Sequence, residues 1–206
     1  MNKTTLAITL AAISILLSGC DAKPDAPFGL KWGESVNSLL KRNLKEAKVS
    51  GSEDTIMFVN AKSAPEPASY NGRYHFAFLP DIGLYAVTYS AWVDENGVFF
   101  NQGKEVYNSI SKKLQEKYGP PSAIRESVKR DGVEFYSCLK EDGCGEWSRD
   151  YQYKGMTVTL VVDPAPGQLM DGFAKGSVNV KYSYLTEDME KKEIEKMKGN
   201  EKTNNF

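Results

Sequence analysis

The spacing of apolar residues predicts two amphipathic helices in this chain. The clearer helix covers residues 103–118 and is followed by the terminating triplet Gly119-Pro120-Pro121. Its apolar residues recur at every third or fourth position and form one stripe: Val106, Tyr107, Ile110, Leu114 and Tyr118. An earlier helix is predicted to open at residues 33–35 and to end at Gly51. Its apolar face would consist of Val36, Leu39, Leu40 and Leu44.

Alternating apolar and polar residues between and after these helices predict β-strands. The predicted strands cover residues 55–60, 73–79, 84–93, 124–128, 133–138, 145–153, 156–162 and 176–185. One hairpin is expected to pair residues 124–128 with residues 133–138, and another to turn at Lys154-Gly155. One side of strand 84–93 would be formed by Tyr85, Val87, Tyr89, Ala91 and Val93. The turns are too short for crossover helices, so the strands should be antiparallel.

The order of these elements predicts an α+β domain over residues 28–185. It divides into halves, 28–97 and 98–185, that each contain a helix followed by a meander of strands. A tandem helix-plus-meander repeat is therefore the expected architecture. The Gly33-x-Ser35 helix opening and the phrase Leu-x-x-Lys-Tyr-Gly-x-Pro ending at Pro121 are similar to those of small periplasmic lipoprotein domains. These domains include the outer-membrane-assembly accessory and β-lactamase-inhibitor-like folds, and the resemblance assigns no site residues.

Residues 1–19 are predicted to be a signal peptide. Lys3 precedes an apolar run at residues 6–17, which as a helix would span roughly 18 Å, short of the ~30 Å hydrocarbon core. The run ends in Leu17-Ser18-Gly19-Cys20, which resembles the lipobox of bacterial lipoproteins at all four positions. The resemblance implies that Cys20 is diacylated, that the chain is cleaved before it, and that the new amine is acylated. An ordinary signal peptide with a chance cysteine is the alternative.

The residues after Cys20 are expected to form a short tether. Asp21 in this place resembles the enterobacterial signal that avoids export to the outer membrane, which favours the periplasmic face of the inner membrane over the outer membrane. Residues 20–27 contain Pro24 and Pro27, which favour an extended backbone. The domain should therefore lie close to the bilayer, and an envelope protein partner should be at the same membrane or come to it.

Composition excludes several functional classes. The 206 residues contain 26 Lys and Arg against 27 Asp and Glu, so no basic field favours a nucleic acid partner. A mean hydropathy of −0.45 excludes a polytopic membrane protein. Cys138 and Cys144 flank a polar turn and are expected to form a disulfide in an oxidising compartment, with a redox or metal pair as the alternative. No cofactor or metal is expected, because no second histidine exists to complete a zinc site.

Three groups of residues are candidates for a functional site. The aromatic group, a platform for a sugar or peptide unless it is core, comprises Trp32, Trp92 and Trp147. The basic group, at the end of the first predicted helix, would meet anionic lipid headgroups unless it is merely solvated, and comprises Lys41, Arg42, Lys45 and Lys48. Glu146 and Asp150 alternate on one strand face and form an acid pair that a glycan or peptide hydrolase could use. His75, the sole histidine, is expected at the surface without a catalytic role.

These observations favour a non-enzymatic, membrane-anchored binding protein of the periplasm. It would act as an accessory or adaptor of an envelope complex, or as an inhibitor or immunity protein. A hydrolase that uses the acidic residues and a carrier of a small apolar ligand are the alternatives. Thr186 is expected to cap a charged helix over residues 187–198, and the whole tail, residues 186–206, is expected to be helical or disordered.

Replacing the predicted lipid attachment site tests the assignment of the N-terminus. The variant Cys20→Ser should lose acyl-chain labelling and accumulate as unprocessed or soluble protein, because two or more acyl chains are what hold such an anchor in a bilayer. Metabolic labelling with a fatty acid, followed by membrane fractionation, measures both effects. Labelling that survives the substitution would refute the lipobox.

Overall fold

Eight antiparallel strands form one continuous sheet in the described part of this protein. The computed structural model describes residues 23–52, 54–95, 102–165, 174–189 and 191. In chain order the strands are β1 (Lys48–Gly51), β2 (Met57–Ala61), β3 (Arg73–Leu79), β4 (Gly83–Val93), β5 (Ala123–Val128), β6 (Gly145–Tyr153), β7 (Met156–Pro164) and β8 (Gly176–Ser183). The helices are α1 (Val36–Leu40), α2 (Gln102–Tyr118) and α3 (Phe135–Lys140), with short 3-10 helices at Pro27–Gly29 and Gly132–Glu134. The predicted α+β class with an antiparallel sheet is confirmed.

The sheet consists of two four-stranded meanders that meet at its centre. Its strand order is β1-β2-β3-β4-β8-β7-β6-β5, so that each meander runs from an edge to the middle. The helix α1 precedes the first meander and α2 precedes the second. The two meanders are joined by the pairing of β4 with β8, which extends from Ala86↔Ser183 to Val93↔Gly176.

The helices cover one face of this sheet. Alternate residues of the strands are buried in a single hydrophobic cluster together with Leu39 of α1, Tyr107 of α2 and Phe135 of α3. The largest fully buried strand residues in it are Tyr74, Phe76, Leu84, Tyr89, Tyr151, Met156 and Leu160. Because successive side chains of a strand point to opposite faces, the residues between these positions lie on the other face. The core is therefore one-sided.

The strongest periodic patterns are confirmed. The helix predicted over residues 103–118 is α2, and its buried residues include Val106, Tyr107 and Leu114. The hairpin of β6 and β7 turns at Lys154-Gly155, where both residues have positive φ (49° and 76°). The strand predicted over residues 176–185 is β8, and its alternating residues Val178, Val180 and Tyr182 are buried.

The first predicted helix is too long. It ends at Leu40, and Lys48–Gly51 forms the edge strand β1 instead. Asn43 and Glu46 have φ of 52° and 50°, which breaks the helix between these elements. Extending the helix by a few residues would gain few internal hydrogen bonds. Pairing with the edge of β2 gives residues 48–51 backbone hydrogen bonds along the whole strand, so the strand is favoured.

The predicted pairing of residues 124–128 with residues 133–138 is wrong. The partner of β5 is β6, and the residues assigned to the second strand lie in the 3-10 helix and α3. Asp131 starts this helical segment by accepting a hydrogen bond from the backbone N–H of Gly132 at 2.8 Å. Burial of Phe135, Tyr136 and Cys138 follows helical rather than alternating spacing.

A register shift changes the buried side of β4. Ala77 pairs with Ala86 and Phe78 pairs with Leu84, so Tyr85 is an extra residue opposite the shift. Leu84 is therefore fully buried and Tyr85 only half-buried, whereas the alternation pattern predicts Tyr85 on the core side. Val87, Tyr89, Ala91 and Val93 are buried as predicted.

A buried carboxylate connects β4, α2 and α3. Asp94 is 4% exposed and accepts hydrogen bonds from the backbone N–H groups of Gln102, at 3.2 Å, and Gly103, at 3.1 Å. The hydroxyl of Tyr136 donates a third bond to the same carboxylate. A Cβ atom on Gly103 would overlap this hydroxyl. The first turn of α2 is thus fixed by the carboxylate of Asp94 and the hydroxyl of Tyr136, and it needs the absence of a side chain at Gly103.

A double-mutant cycle tests this arrangement. Gly103→Ala should destabilise the fold by about 2 kcal/mol, because overpacking against a rigid ring outweighs the ~1 kcal/mol gain in helix propensity. In a Tyr136→Phe background the overlapping hydroxyl is absent, and the same substitution should cost much less. Urea unfolding of the four proteins measures the coupling. Equal costs in the two backgrounds would show that the hydroxyl does not exclude a side chain at Gly103.

Candidate functional site: the uncovered face of the sheet

The face of the sheet opposite the helices has no other layer against it within the described part of the chain. Its side chains come from alternate strand positions fixed by the registers. From the β1 edge to the β5 edge they are Lys48, Ser50, Phe58, Asn60, Arg73, His75, Ala77, Ala86, Thr88, Ser90, Trp92, Ser177, Asn179, Lys181, Ser183, Thr157, Thr159, Val161, Asp163, Glu146, Ser148, Asp150, Gln152, Ala123, Arg125 and Ser127. We call this surface the open face.

Side-chain size varies across the open face. The central strands β4, β8 and β7 present mostly short residues, together with Trp92 and Lys181: Ala86, Thr88, Ser90, Ser177, Ser183, Thr157 and Thr159. The outer strands present several long ones: Phe58, Arg73, His75, Arg125, Glu146 and Gln152. Ser177 and Asn179 are only 6% and 8% exposed; Ser177 lies opposite Trp92 in the register, and Asn179 is hydrogen-bonded to Asp163.

The carboxylates of the open face are held by groups of the same face. Arg125 donates from Nε to Glu146 and from Nη2 to Asp150, each at 2.7 Å. Hydrogen bonds from Ser148 and Arg125 lower the pKa of Glu146. Burial acts to raise the pKa of Asp150, but hydrogen bonds from Arg125 and Thr159 outweigh it and leave that pKa lowered. Asp163 accepts a hydrogen bond from Asn179 at 2.6 Å.

The other cations of the open face form no close ion pair. Lys48, Arg73 and Lys181 are exposed and make no ion pair or side-chain hydrogen bond with another described residue, although Lys48 and Arg73 lie near enough to Glu46 to help lower its pKa. His75 donates from Nδ1 to the side-chain oxygen of Asn60, and partial burial and the nearby Arg73 lower the pKa of this histidine. Arg125 and these three cations outnumber the carboxylates Glu146, Asp150 and Asp163, so the open face has a small excess of positive charge.

The predicted acid pair is brought together, but not in a form suited to acid catalysis. Glu146 and Asp150 share Arg125, and both have lowered pKa values. A glycoside hydrolase needs one carboxyl group whose pKa is raised so that it carries a proton near neutral pH. This pair is instead a surface ion cluster. Among the described residues, no group of His, Cys, Asp or Glu has the geometry of a metal site.

The three tryptophans do not form a common platform. Trp92 lies half-buried on the open face, next to Ser177 in the register. Trp32 is buried and stacks on Tyr184 at 5.9 Å, while Trp147 packs on Phe135 at 5.5 Å on the helix side. Lys104 Nζ lies 4.4 Å from the ring centre of Trp147. Only Trp92 therefore belongs to the candidate surface.

The predicted basic cluster is divided between different roles. Arg42 forms an ion pair with Glu34 at 2.7 Å and donates to the carbonyl of Gly29 at 2.6 Å, so it holds α1 on the N-terminal segment. Lys41 and Lys45 are exposed in the connection after α1. Lys48 lies on the edge strand β1 and belongs to the open face. The four residues do not share a helix end.

The predicted disulfide joins two buried cysteines. Cys138 and Cys144 are bonded to each other and link α3 to the start of β6.

The two ends of the chain are described only in part. Cys20 and Asp21 lie outside the described residues. Pro24, Ala26 and Pro27 are buried, so the part of the predicted tether that is described packs on the domain. In the tail, Thr186 accepts a hydrogen bond from the backbone N–H of Met189 at 3.4 Å, as a helix cap does.

One polar network had no signal in the sequence. Beneath α2, Arg149 forms an ion pair with Glu126 and donates to the Ser111 hydroxyl at 2.6 Å. The hydroxyl of Tyr107 donates to Glu126 at 2.9 Å, and burial together with that carboxylate raises the pKa of Tyr107. These residues are far apart in the chain, so no spacing reveals them. They lie on the covered side and fix α2 to β5 and β6.

Comparison with known proteins adds no function. No family model, curated protein or solved structure matches the chain. No helix of the described residues is long and apolar enough to cross a membrane.

Removing the disulfide should cost stability. The free energy of unfolding of the double variant Cys138→Ser/Cys144→Ser should be about 2 kcal/mol lower than that of the wild type, because the bond restricts the unfolded chain. For a domain of this size the melting temperature should fall by roughly 4–8 °C. Thermal unfolding with and without reductant measures this, and the reductant should have no effect on the variant. Two free thiols in the unfolded, unreduced wild type would contradict the bond.

The Arg125 cluster gives stability a pH dependence. Lowered carboxyl pKa values in the folded state stabilise the fold above the unfolded pKa, and this stabilisation is lost as the pH falls through the folded pKa. In Arg125→Gln the pKa values of Glu146 and Asp150 should rise, and the variant should be less stable than wild type near neutral pH but not in acid. NMR titration of the carboxyl carbons and urea unfolding against pH measure both. Lys112→Gln, which removes an exposed charge on α2, is the control, and carboxyl pKa values unchanged by Arg125→Gln would contradict the cluster.

Proposed function

We propose that this chain is a lipid-anchored protein of the bacterial envelope whose domain binds another protein through the open face. The observation that carries this proposal is an eight-stranded sheet with one face covered by helices and the other left without a layer in the described chain. Lipidation of Cys20 and a periplasmic location follow from the lipobox resemblance. Binding, rather than catalysis, is the role that this surface supports.

The chemistry of the open face supports a protein partner. Phe58 is 41% exposed there, and Trp92 and Arg73 lie on the same surface. Aromatic residues and arginine are the types enriched in protein interfaces, where they anchor the contact. Small hydroxyl side chains between them offer further hydrogen bonds to a partner.

Charge indicates the kind of partner. Glu146 and Asp150 share Arg125, and Asp163 is hydrogen-bonded by Asn179, whereas Lys48, Arg73 and Lys181 form no close ion pair. A partner that presents acidic side chains opposite Arg73 and Lys181 would complement these cations. The N-terminal segment packs closely on the domain, so this partner would be reached at the membrane surface.

The structure gives less support to the two alternative functions. A hydrolase acting through Glu146 and Asp150 would lack a carboxyl group with a raised pKa. A carrier would need an apolar cavity, and the apolar one between α2 and the N-terminal segment holds about 170 Å³, less than the ~300 Å³ at which small-molecule sites begin. A larger cavity of about 570 Å³ beside α1 is lined by polar residues such as Ser35, Asn37 and Asp54 as well as apolar ones such as Val36, Met57 and Ile82, so it is not the wholly apolar cavity that a carrier of an apolar ligand would need.

Site-specific photo-cross-linking in cells tests the proposed function. A photo-reactive amino acid at Thr88, in the centre of the open face, should trap a discrete partner. The same residue at Gln115, exposed on α2, should not. Arg73→Glu combined with Lys181→Glu should reduce the Thr88 product several-fold, whereas Lys112→Glu on α2 should leave it unchanged.

The outcomes separate the two parts of the proposal. A Thr88 product that withstands the charge reversals would retain the open face as the binding surface but reject an acidic partner. Equal products from both positions, or none from Thr88, would reject the open face itself.

A further inference from the structure

The end of the sheet where the described chain begins carries lysines above aromatic rings. Lys23 Nζ lies 5.3 Å from the ring centre of Tyr184 and donates to the carbonyl of Trp32 at 3.0 Å. Lys154 Nζ lies 5.4 Å from the ring centre of Tyr153. Lys117, at the last turn of α2, lies in the same way above Tyr118. We call this surface the lysine–aromatic end; it consists of Lys23, Lys117, Tyr153, Lys154 and Tyr184, with the buried Trp32 stacked behind Tyr184.

Contacts between the elements place these residues at one end of the molecule. The rings of Trp32 and Tyr184 stack at 5.9 Å. The ring of Tyr118 lies 5.4 Å from that of Tyr153, which brings α2 to the turn between β6 and β7. Gly155, in that turn, adjoins Tyr184. The disulfide, α3 and the first turn of α2 lie at the opposite end, where β4 finishes and β8 begins.

Only a short segment separates the predicted lipidation site from this surface. Three residue steps separate Cys20 from Lys23, which at full extension reach about 10 Å. From Pro24 onward the chain is fixed, since Pro24, Ala26 and Pro27 are buried. An acylated Cys20 would therefore bring the lysine–aromatic end to the level of the lipid headgroups.

The chemistry of this end suits such a position. Tyrosine and tryptophan are enriched where a protein meets the headgroup layer, because their rings are apolar and their edges polar. Lysine ammonium groups extend past the rings to lipid phosphates. Asp25, Glu187 and Asp188 are near in the sequence, so the net charge is small. Contact would depend on rings and individual lysines rather than on a polybasic field.

We propose that the lysine–aromatic end rests on the bilayer surface and orients the domain. This inference relies on the proposed lipidation of Cys20. The 11 residues of β4 span about 35 Å, so the strands would rise from the membrane with the opposite end well clear of it. The open face would then be turned sideways, accessible to a partner beside the anchor in the same membrane.

Fluorescence quenching in proteoliposomes tests this orientation. The lipidated protein is reconstituted into vesicles of phosphatidylethanolamine and phosphatidylglycerol that contain a lipid with a nitroxide on its headgroup. A fluorophore is attached to Gln152→Cys, beside the lysine–aromatic end, or to Ser127→Cys, on the same face near the opposite end. Both positions are exposed, and the native disulfide leaves no competing thiol in the domain.

Quenching of the Gln152 label should exceed that of the Ser127 label several-fold. Lys23→Glu combined with Lys154→Glu should reduce the difference, whereas Lys140→Glu on α3 should not. Equal quenching of the two labels in acylated protein would show that the domain turns freely on its anchor and would overturn the orientation alone. Stronger quenching of the Ser127 label would overturn it as well. Absence of acyl labelling would overturn the proposed lipidation and this inference with it.

Discussion

The pairing of β4 with β8 is the interaction on which the rest of the structure depends. Each meander has a covered side that it cannot bury alone, and the ladder from Ala86↔Ser183 to Val93↔Gly176 makes them one sheet. Only then do α2 and the first meander share a core, since Tyr89 and Val180 lie side by side beneath Leu114 and Ile110. The same ladder places residues of both halves next to each other on the opposite side, such as Ser90 beside Asn179 and Trp92 beside Ser177, and so forms the centre of the open face.

Because only one face of the sheet is buried, its two faces carry different types of residue. Tyrosines and branched apolar residues fill the side beneath the helices, and threonine, serine and charged residues fill the other. Threonine has a high preference for strands and carries a polar hydroxyl group, so a solvent-exposed strand can be stable without exposing apolar side chains. The acid cluster and the isolated cations of the open face are thus additions to a surface that would be stable without them.

The sequence predicts those elements whose pattern is long and admits one interpretation. The helix α2, the hairpin of β6 and β7, and β8 each have such a pattern. The spacing of Val36, Leu39, Leu40 and Leu44 fits a helix but does not require one. In the structure the helix ends at Leu40, and Lys48–Gly51 pairs with the edge of β2 instead. Residues 133–138 were misassigned because a six-residue apolar segment fits a strand or a short helix equally well.

The candidate surface was harder to predict for a different reason. Trp92, Glu146 and Asp150 are recognisable in the sequence, yet Arg73, Arg125 and Lys181 look like ordinary solvated strand residues. Their significance depends on which strands become neighbours and on which side the helices pack. Both facts arise from contacts between residues about a hundred positions apart, such as Ala86 and Ser183. No local pattern carries that information.

The two outer strands have a consequence for the proposed anchoring at a membrane. A population anchored in this way would be concentrated in two dimensions, where exposed sheet edges would readily join neighbouring copies into fibres. At one edge β1 stops after four residues and carries Lys48, while Gly51 turns the chain away with a φ of 94°. At the other edge β5 presents Arg125 and Glu126 in succession. On the proposed anchor, short length and charge at these edges would keep even a dense population of this protein as separate molecules.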